Sequence, residues 1–191
     1  KKALDAGTHK GDVDGDTQLG QTVAVSGTPT MFLNGARIQN PTDFTVVSKA
    51  IEDHDPRFIC IVHGDTSTTM AQPLDEIGPL CREKERILYV DACATLGGMT
   101  IDVDKWCLDA VTSGLQKCLS GPPGCSPLTI NNQVADLVNA RKHVEAGIRT
   151  EDEVDSDGPI VQSNYFDLAM LMDYWSPKRL NHHTEATSML Y

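Results

Sequence analysis

The sequence is short of aromatic side chains, short of positive charge and without long apolar runs. Four Phe, four Tyr and two Trp make up 5% of 191 residues, so a core must be built from aliphatic groups. Lys and Arg number 16 against 27 Asp and Glu, and the formal charge is -11. A chain of that charge is repelled by nucleic acid and by anionic membranes, so neither is an expected partner. No stretch approaches the length of a membrane span, and no charged-then-apolar signal opens the chain. A cytoplasmic protein is expected. An initiator methionine is also missing, so Lys1 reads as a processed or cut end.

No Cys-x-x-Cys pair exists among the six cysteines, Cys60, Cys81, Cys93, Cys107, Cys118 and Cys125. They fall singly, several in or beside apolar runs, which reads as reduced thiols instead of disulfides or zinc ligands. Gly11-Asp-Val-Asp-Gly-Asp16 has something of a calcium loop, but a loop begun at Asp12 would put its bidentate acid at Val23. No metal site is expected, and residues 1–22 read as a solvated loop leading into a short helix.

Hydrophobic residues make up 40% of the chain, enough to bury a core. Asn34-Gly35 between apolar runs predicts a hairpin, because both turn positions favour positive φ. A helical pattern follows through Phe44, Val47, Ala50 and Ile51. Asp53-His-Asp-Pro-Arg57 is polar and holds a helix-stopping proline, which places a boundary between residues 1–54 and 55–191. Phe58-Ile-Cys-Ile-Val62 then reads as a buried parallel strand, 63–69 as a polar loop and 73–82 as a helix. Strands are expected at 87–90, 109–112 and 126–130, a helix at 132–142, and an amphipathic helix at 165–175 that ends before Pro177. Alternating strands and helices predict an α/β fold with a mainly parallel sheet flanked by helices. The acidic, turn-rich residues 144–158 read as a solvated insertion.

Lys117 lies between the short apolar run at 109–112 and the Gly- and Pro-rich loop at 121–124. A lysine held at the end of a buried strand loses hydration, and the neutral amine favoured there attacks carbonyls. An ordinary surface lysine also fits the position. Ile87-Leu-Tyr-Val-Asp91 is an apolar run that ends in a carboxylate. Parallel strands collect ligands at their carboxyl ends, which directs Asp91 and Lys117 toward one pocket. A pyridoxal phosphate site needs such a pair, a lysine to bind the aldehyde and an acid to keep the pyridinium nitrogen protonated.

Several short motifs stand in one order: Val62-His-Gly-Asp-Thr-Ser-Thr68, Gln72-Pro-Leu-Asp75, Tyr89-Val-Asp91, Leu96-Gly-Gly98, Ser113-Gly-Leu-Gln-Lys117, Pro122-Pro-Gly124 and His182-His-Thr184. On these motifs residues 58–191 resemble the large domain of class V, fold-type I aminotransferases, most closely the alanine–glyoxylate and ureidoglycine–glyoxylate group. The resemblance implies pyridoxal 5'-phosphate as cofactor, a small amino acid and a 2-oxo acid as substrates, and a homodimer. It implies that Lys117 binds the cofactor covalently and shuttles a proton, and that Asp91 pairs with the pyridinium nitrogen. It further implies Thr66 near the ring oxygen, Cys93 against the ring, Gln116 beside the phosphate, and Thr184 reaching a partner's phosphate across the dimer.

Without the family, Thr66 is a turn threonine, Cys93 a buried thiol, and His182 and His183 are solvated polar residues. The chain also departs from the family pattern. Asn181 stands where the family has tyrosine, and Thr69 where it commonly has glycine. The family's glycine-rich phosphate loop, its stacking aromatic and its carboxylate-clamping arginine have no counterpart in these residues. Orientation of that kind is worth roughly 7 to 11 kcal/mol in favourable cases, so impaired transamination is expected.

Residues 1–54 resemble the C-terminal half of thioredoxin-like thiol–disulfide oxidoreductases, on Thr28-Pro29, the hairpin and the helix after it. The redox cysteines of that family are absent, so this resemblance implies shape alone. A thioredoxin-like binding or redox module, or a non-catalytic chimera, are the alternative readings.

Overall fold

The computed structural model describes residues 2–142, 161 and 166–177. The chain opens with helices α1 (Lys2–Asp5) and α2 (Lys10–Thr22). This corrects the loop expected over residues 1–22, since α2 runs through the Gly- and Asp-rich stretch without burying a residue. Local charge pairs support it: Lys10 meets Asp14 at 2.5 Å with i,i+4 spacing, and His9 meets Asp12 at 3.5 Å.

Strands β1 (Met31–Leu33) and β2 (Ala36–Ile38) form the expected hairpin. Asn34 and Gly35 both take positive φ, 47° and 83°, as a two-residue turn between twisted strands requires. The Thr28–Pro29 peptide bond is cis. Helix α3 (Phe44–His54) follows, its first turn capped by the Asp43 carboxylate, which accepts from Thr45 N at 2.9 Å.

Next come β3 (Phe58–Val62), the short ladder β4 (Gly64–Asp65) with β5 (Met70–Ala71), and helix α4 (Leu74–Glu83). The remaining elements are β6 (Ile87–Asp91), β7 (Ala110–Thr112), β8 (Leu128–Ile130), α5 (Asn132–Asn139) and α6 (Leu168–Trp175). The main sheet has the order β3-β6-β7-β8. Its first three strands are parallel and β8 is antiparallel, giving the mostly parallel α/β sheet that the strand and helix alternation predicts.

Side chains alternate across each strand. Ile59 and Ile61 of β3 and Leu88 and Val90 of β6 are buried in one core with Val47 and Ile51 of α3 and Leu74, Ile77 and Cys81 of α4. On the opposite face of β3, Phe58 and Val62 are more than half exposed, at 55% and 56%. Arg57 O accepts from Ile87 N at 3.2 Å, and His63 N donates to Asp91 O at 2.8 Å. The residues facing β6 are therefore the odd-numbered ones, and Phe58, Cys60 and Val62 turn their backbone groups to the side away from β6.

A buried carboxylate organises the amino end of the sheet. Asp109, 2% exposed, accepts from Leu88 N at 2.8 Å, from Asn131 Nδ2 at 2.6 Å and from Arg82 at 3.3 Å.

Candidate functional site

Val62, Asp91 and Thr112 lie in register, so β3, β6 and β7 end together. His63 N donates to Asp91 O and Ala92 N to Thr112 O, each at 2.8 Å, which carries the ladder one residue further. Three loops leave this edge, at residues 63–72, 92–99 and 113–127.

Asp91 is half-buried, and its Oδ1 accepts from Cys93 N at 2.8 Å, a tight turn that the aspartate itself closes. Its other carboxylate oxygen has no hydrogen-bond partner among the described residues. Cys93 Sγ accepts from Gln116 Nε2 at 3.6 Å. Gly114 makes that meeting possible: a Cβ there would lie 2.5 Å from Gln116 Oε1 and 3.0 Å from Cys93 Sγ. The structure thus brings Asp91, Cys93 and Gln116 into one chain of contacts, with Lys117 next in sequence.

Lys117 itself is exposed, and its amine has no partner among the described residues. Of the two readings above, the exposure fits the surface lysine and not one desolvated at a strand end. Strand β7 stops at Thr112, and the chain travels through a turn before reaching Lys117, so the sheet does not desolvate the amine.

Thr66 is exposed on the connection between β4 and β5. Asp65 holds that turn by accepting from Thr68 N at 3.0 Å and from Thr68 Oγ1 at 2.7 Å. The Thr68 hydroxyl holds the Asp65 carboxyl below the usual carboxylate range. No hydrogen bond joins Thr66 to Asp91, Cys93 or Gln116. Thr184, with His182 and His183, lies outside the described residues, as do residues 144–158.

His63 belongs to the Val62–Thr68 motif, but nothing in the sequence gives it a role of its own. It is 4% exposed, with Nδ1 2.9 Å from Thr95 Oγ1 and its ring edge-on to Trp106, centroids 6.2 Å apart. Burial pushes its pKa below the usual histidine value, so the ring is neutral at neutral pH. It ties the loop after β3 to the loop after β6. A cleft of about 230 Å³ opens beside it, lined by Pro29, Met31, Cys60, Asp65 and Gln72 among others.

The edge offers a primary amine, a carboxylate with one unengaged oxygen and an amide donor within adjoining loops. Those groups suit a carbonyl-bearing aromatic ligand with a basic ring nitrogen. Among the described residues no cluster of His, Cys, Asp or Glu could hold a metal ion, and no helix is long and apolar enough to cross a membrane.

Known proteins share this sequence and fold. Residues 35–165 match the family described as aminotransferase class-V. The chain is 49% identical over 148 residues to the (S)-ureidoglycine–glyoxylate transaminase of Bacillus subtilis, covering 76% of this chain and 35% of that protein. It is 32% identical over 149 residues to the alanine–glyoxylate aminotransferase of Drosophila melanogaster, covering 76% and 34%. Among solved structures, the ureidoglycine–glyoxylate aminotransferase of Bacillus subtilis superposes with a TM-score of 0.66 at 44% identity, covering 80% of this chain and 35% of that one. The alanine–glyoxylate aminotransferase of Nostoc sp. superposes with a TM-score of 0.63 at 32% identity, covering 77% and 35%. The chain spans about a third of the length of these relatives.

Proposed function

The chain belongs to the aminotransferase class-V family, and from that premise we propose that its site serves pyridoxal phosphate-dependent transfer of an amino group from a small amino acid to glyoxylate or another 2-oxo acid. The observation that carries this reading is the shared edge. The register ends β6 at Asp91, and the Cys93–Gln116 contact returns the lysine-bearing loop to the same place.

When bound, the cofactor supplies an electron sink for charge at the substrate α-carbon. Asp91 offers its free oxygen to the ring nitrogen, where a carboxylate keeps the proton in place. Lys117 would supply the amine that holds the cofactor, and its amine could carry a proton at the substrate α-carbon. Gln116 would offer an amide donor to the phosphate, Cys93 would bear on the ring, and Thr66 would supply a hydroxyl from the neighbouring turn. Thr184 of a second copy completes the phosphate site in a homodimer. The relatives' names support glyoxylate as acceptor and alanine or ureidoglycine as donor.

The part of the reading that these residues carry is cofactor capture, by Lys117 and Asp91 at the shared edge. We place it in the cytoplasm. Residues 55–191 are read as a partial large domain after a thioredoxin-like half at 1–54, although the family match begins at residue 35 and α3 buries Val47 and Ile51 in the sheet's core.

Titration with pyridoxal phosphate, followed by borohydride reduction and peptide mapping, tests the site. Saturable labelling at Lys117, lost in Lys117→Ala, is expected. Equal labelling of the mutant would remove Lys117 from its role, and with it the proposed chemistry.

A further inference from the structure

Among the described residues nothing fixes the Lys117 amine, yet the residues on both sides of it are anchored to one loop. Gln116 Nε2 donates to Cys93 Sγ at 3.6 Å, and Cys118 Sγ donates to Ala94 O at 3.3 Å. The loop that receives both is the one Asp91 pins through Cys93 N.

The seat for Cys118 is cut by two glycines. A Cβ on Gly98 would lie 2.7 Å from Cys118 Sγ and 3.2 Å from its Cβ, inside normal contact. Gly97, at φ 87°, would bring a Cβ to 3.0 Å from Leu119 Cδ2, and its left-handed backbone disfavours any other residue. The lysine loop closes on itself as well. Ser120 N donates to Lys117 O at 2.9 Å, and Gly121 N donates to Leu115 O at 2.8 Å.

From this geometry we infer that Cys118 is a positioning residue: seated on the Gly97-Gly98 turn, it clamps the backbone of Lys117 against the Asp91 loop and fixes where the amine emerges. The clamp works through the main chain, which is how a solvent-exposed lysine keeps a defined origin. Its mechanical part stands on the contacts alone. Its consequence for cofactor attachment rests on the proposed function, and the two are measured separately.

Amide hydrogen exchange across residues 114–121 reads the clamp without any cofactor. Loss of the Cys118 contact in Cys118→Ala is expected to speed exchange there about 5-fold, the effect of one modest hydrogen bond, with the strands of the sheet unchanged. Gly98→Ala should speed it at least as much. The double variant should exchange more slowly than Gly98→Ala alone, because removing the sulfur makes room for the new methyl. Cys118→Ser keeps a donor for Ala94 O and should restore most of the protection. Unchanged exchange in both single variants overturns the clamp, as does a double variant no better than Gly98→Ala.

Reductive labelling with pyridoxal phosphate reads the consequence. In Cys118→Ala the rate at Lys117 should fall roughly 10-fold relative to the exposed Lys10, Lys49 and Lys105 of the same molecule, and Cys118→Ser should recover it. An unaltered ratio overturns the positioning role even where exchange has changed. A wild-type chain never labelled at Lys117, with exchange responding as described, would refute the cofactor reading and leave the clamp standing.

Discussion

At His63 the protein carries a pH dependence of known sign. The ring is buried, and its pKa lies below the ordinary value of 6.5 because burial penalises the charged form. Below about pH 6.5 the unfolded chain binds a proton that the folded ring refuses. Stability from this source is complete above the unfolded pKa and is lost as pH falls toward the folded one. Urea midpoints should therefore drop between pH 7 and pH 5.5, and the drop should be smaller in His63→Gln; an equal drop would separate the effect from His63. Asp91 was legible in the sequence because an apolar run ending in an acid marks a strand terminus. The exposure of Lys117 was not, since it depends on where β7 stops and how the next loop folds. The Cys93–Gln116 contact joins residues 23 positions apart, beyond the reach of local pattern.

Elements differ in what makes them readable. The hairpin and α3 are written in local chemistry, Asn34-Gly35 at the turn and Asp43 at the cap. Helix α2 is not: glycines argue against it, while the charge pairs that favour it emerge only once the helix exists. The sequence pattern marks β8 as a strand, but its antiparallel direction follows from pairing with β7. Helix α4 shows tertiary contact overriding propensity. Gly78 is a poor helix former, yet a Cβ there would lie 1.7 Å from Trp106 O, on the backbone of the segment leading to β7. Gly78→Ala should therefore destabilise the fold by about 3 kcal/mol in chemical denaturation despite alanine's better helix propensity, because the obstructing atom is backbone. A stabilised mutant would mean that α4 and this segment are not packed as described.

Among the described residues, the buried Asp109 network and the proposed site sit at opposite ends of the sheet. Asp109 ties the amino ends of β6 and β7, while Asp91 and the Lys117 loop occupy the carboxyl ends, roughly 10 Å of strand away. Asp109→Ala leaves Leu88 N and Asn131 Nδ2 without their acceptor and should cost about 3 kcal/mol. Its folded fraction should still label with pyridoxal phosphate at Lys117 as the wild type does; lost labelling in folded protein would show that the two ends are coupled. The open side of β3 has a different consequence. Among the described residues nothing pairs with the outer amides and carbonyls of Phe58, Cys60 and Val62, in a run with neither proline nor charge, the devices that ordinarily blunt a sheet's margin. Such a margin accepts another copy of itself as readily as any other extended chain.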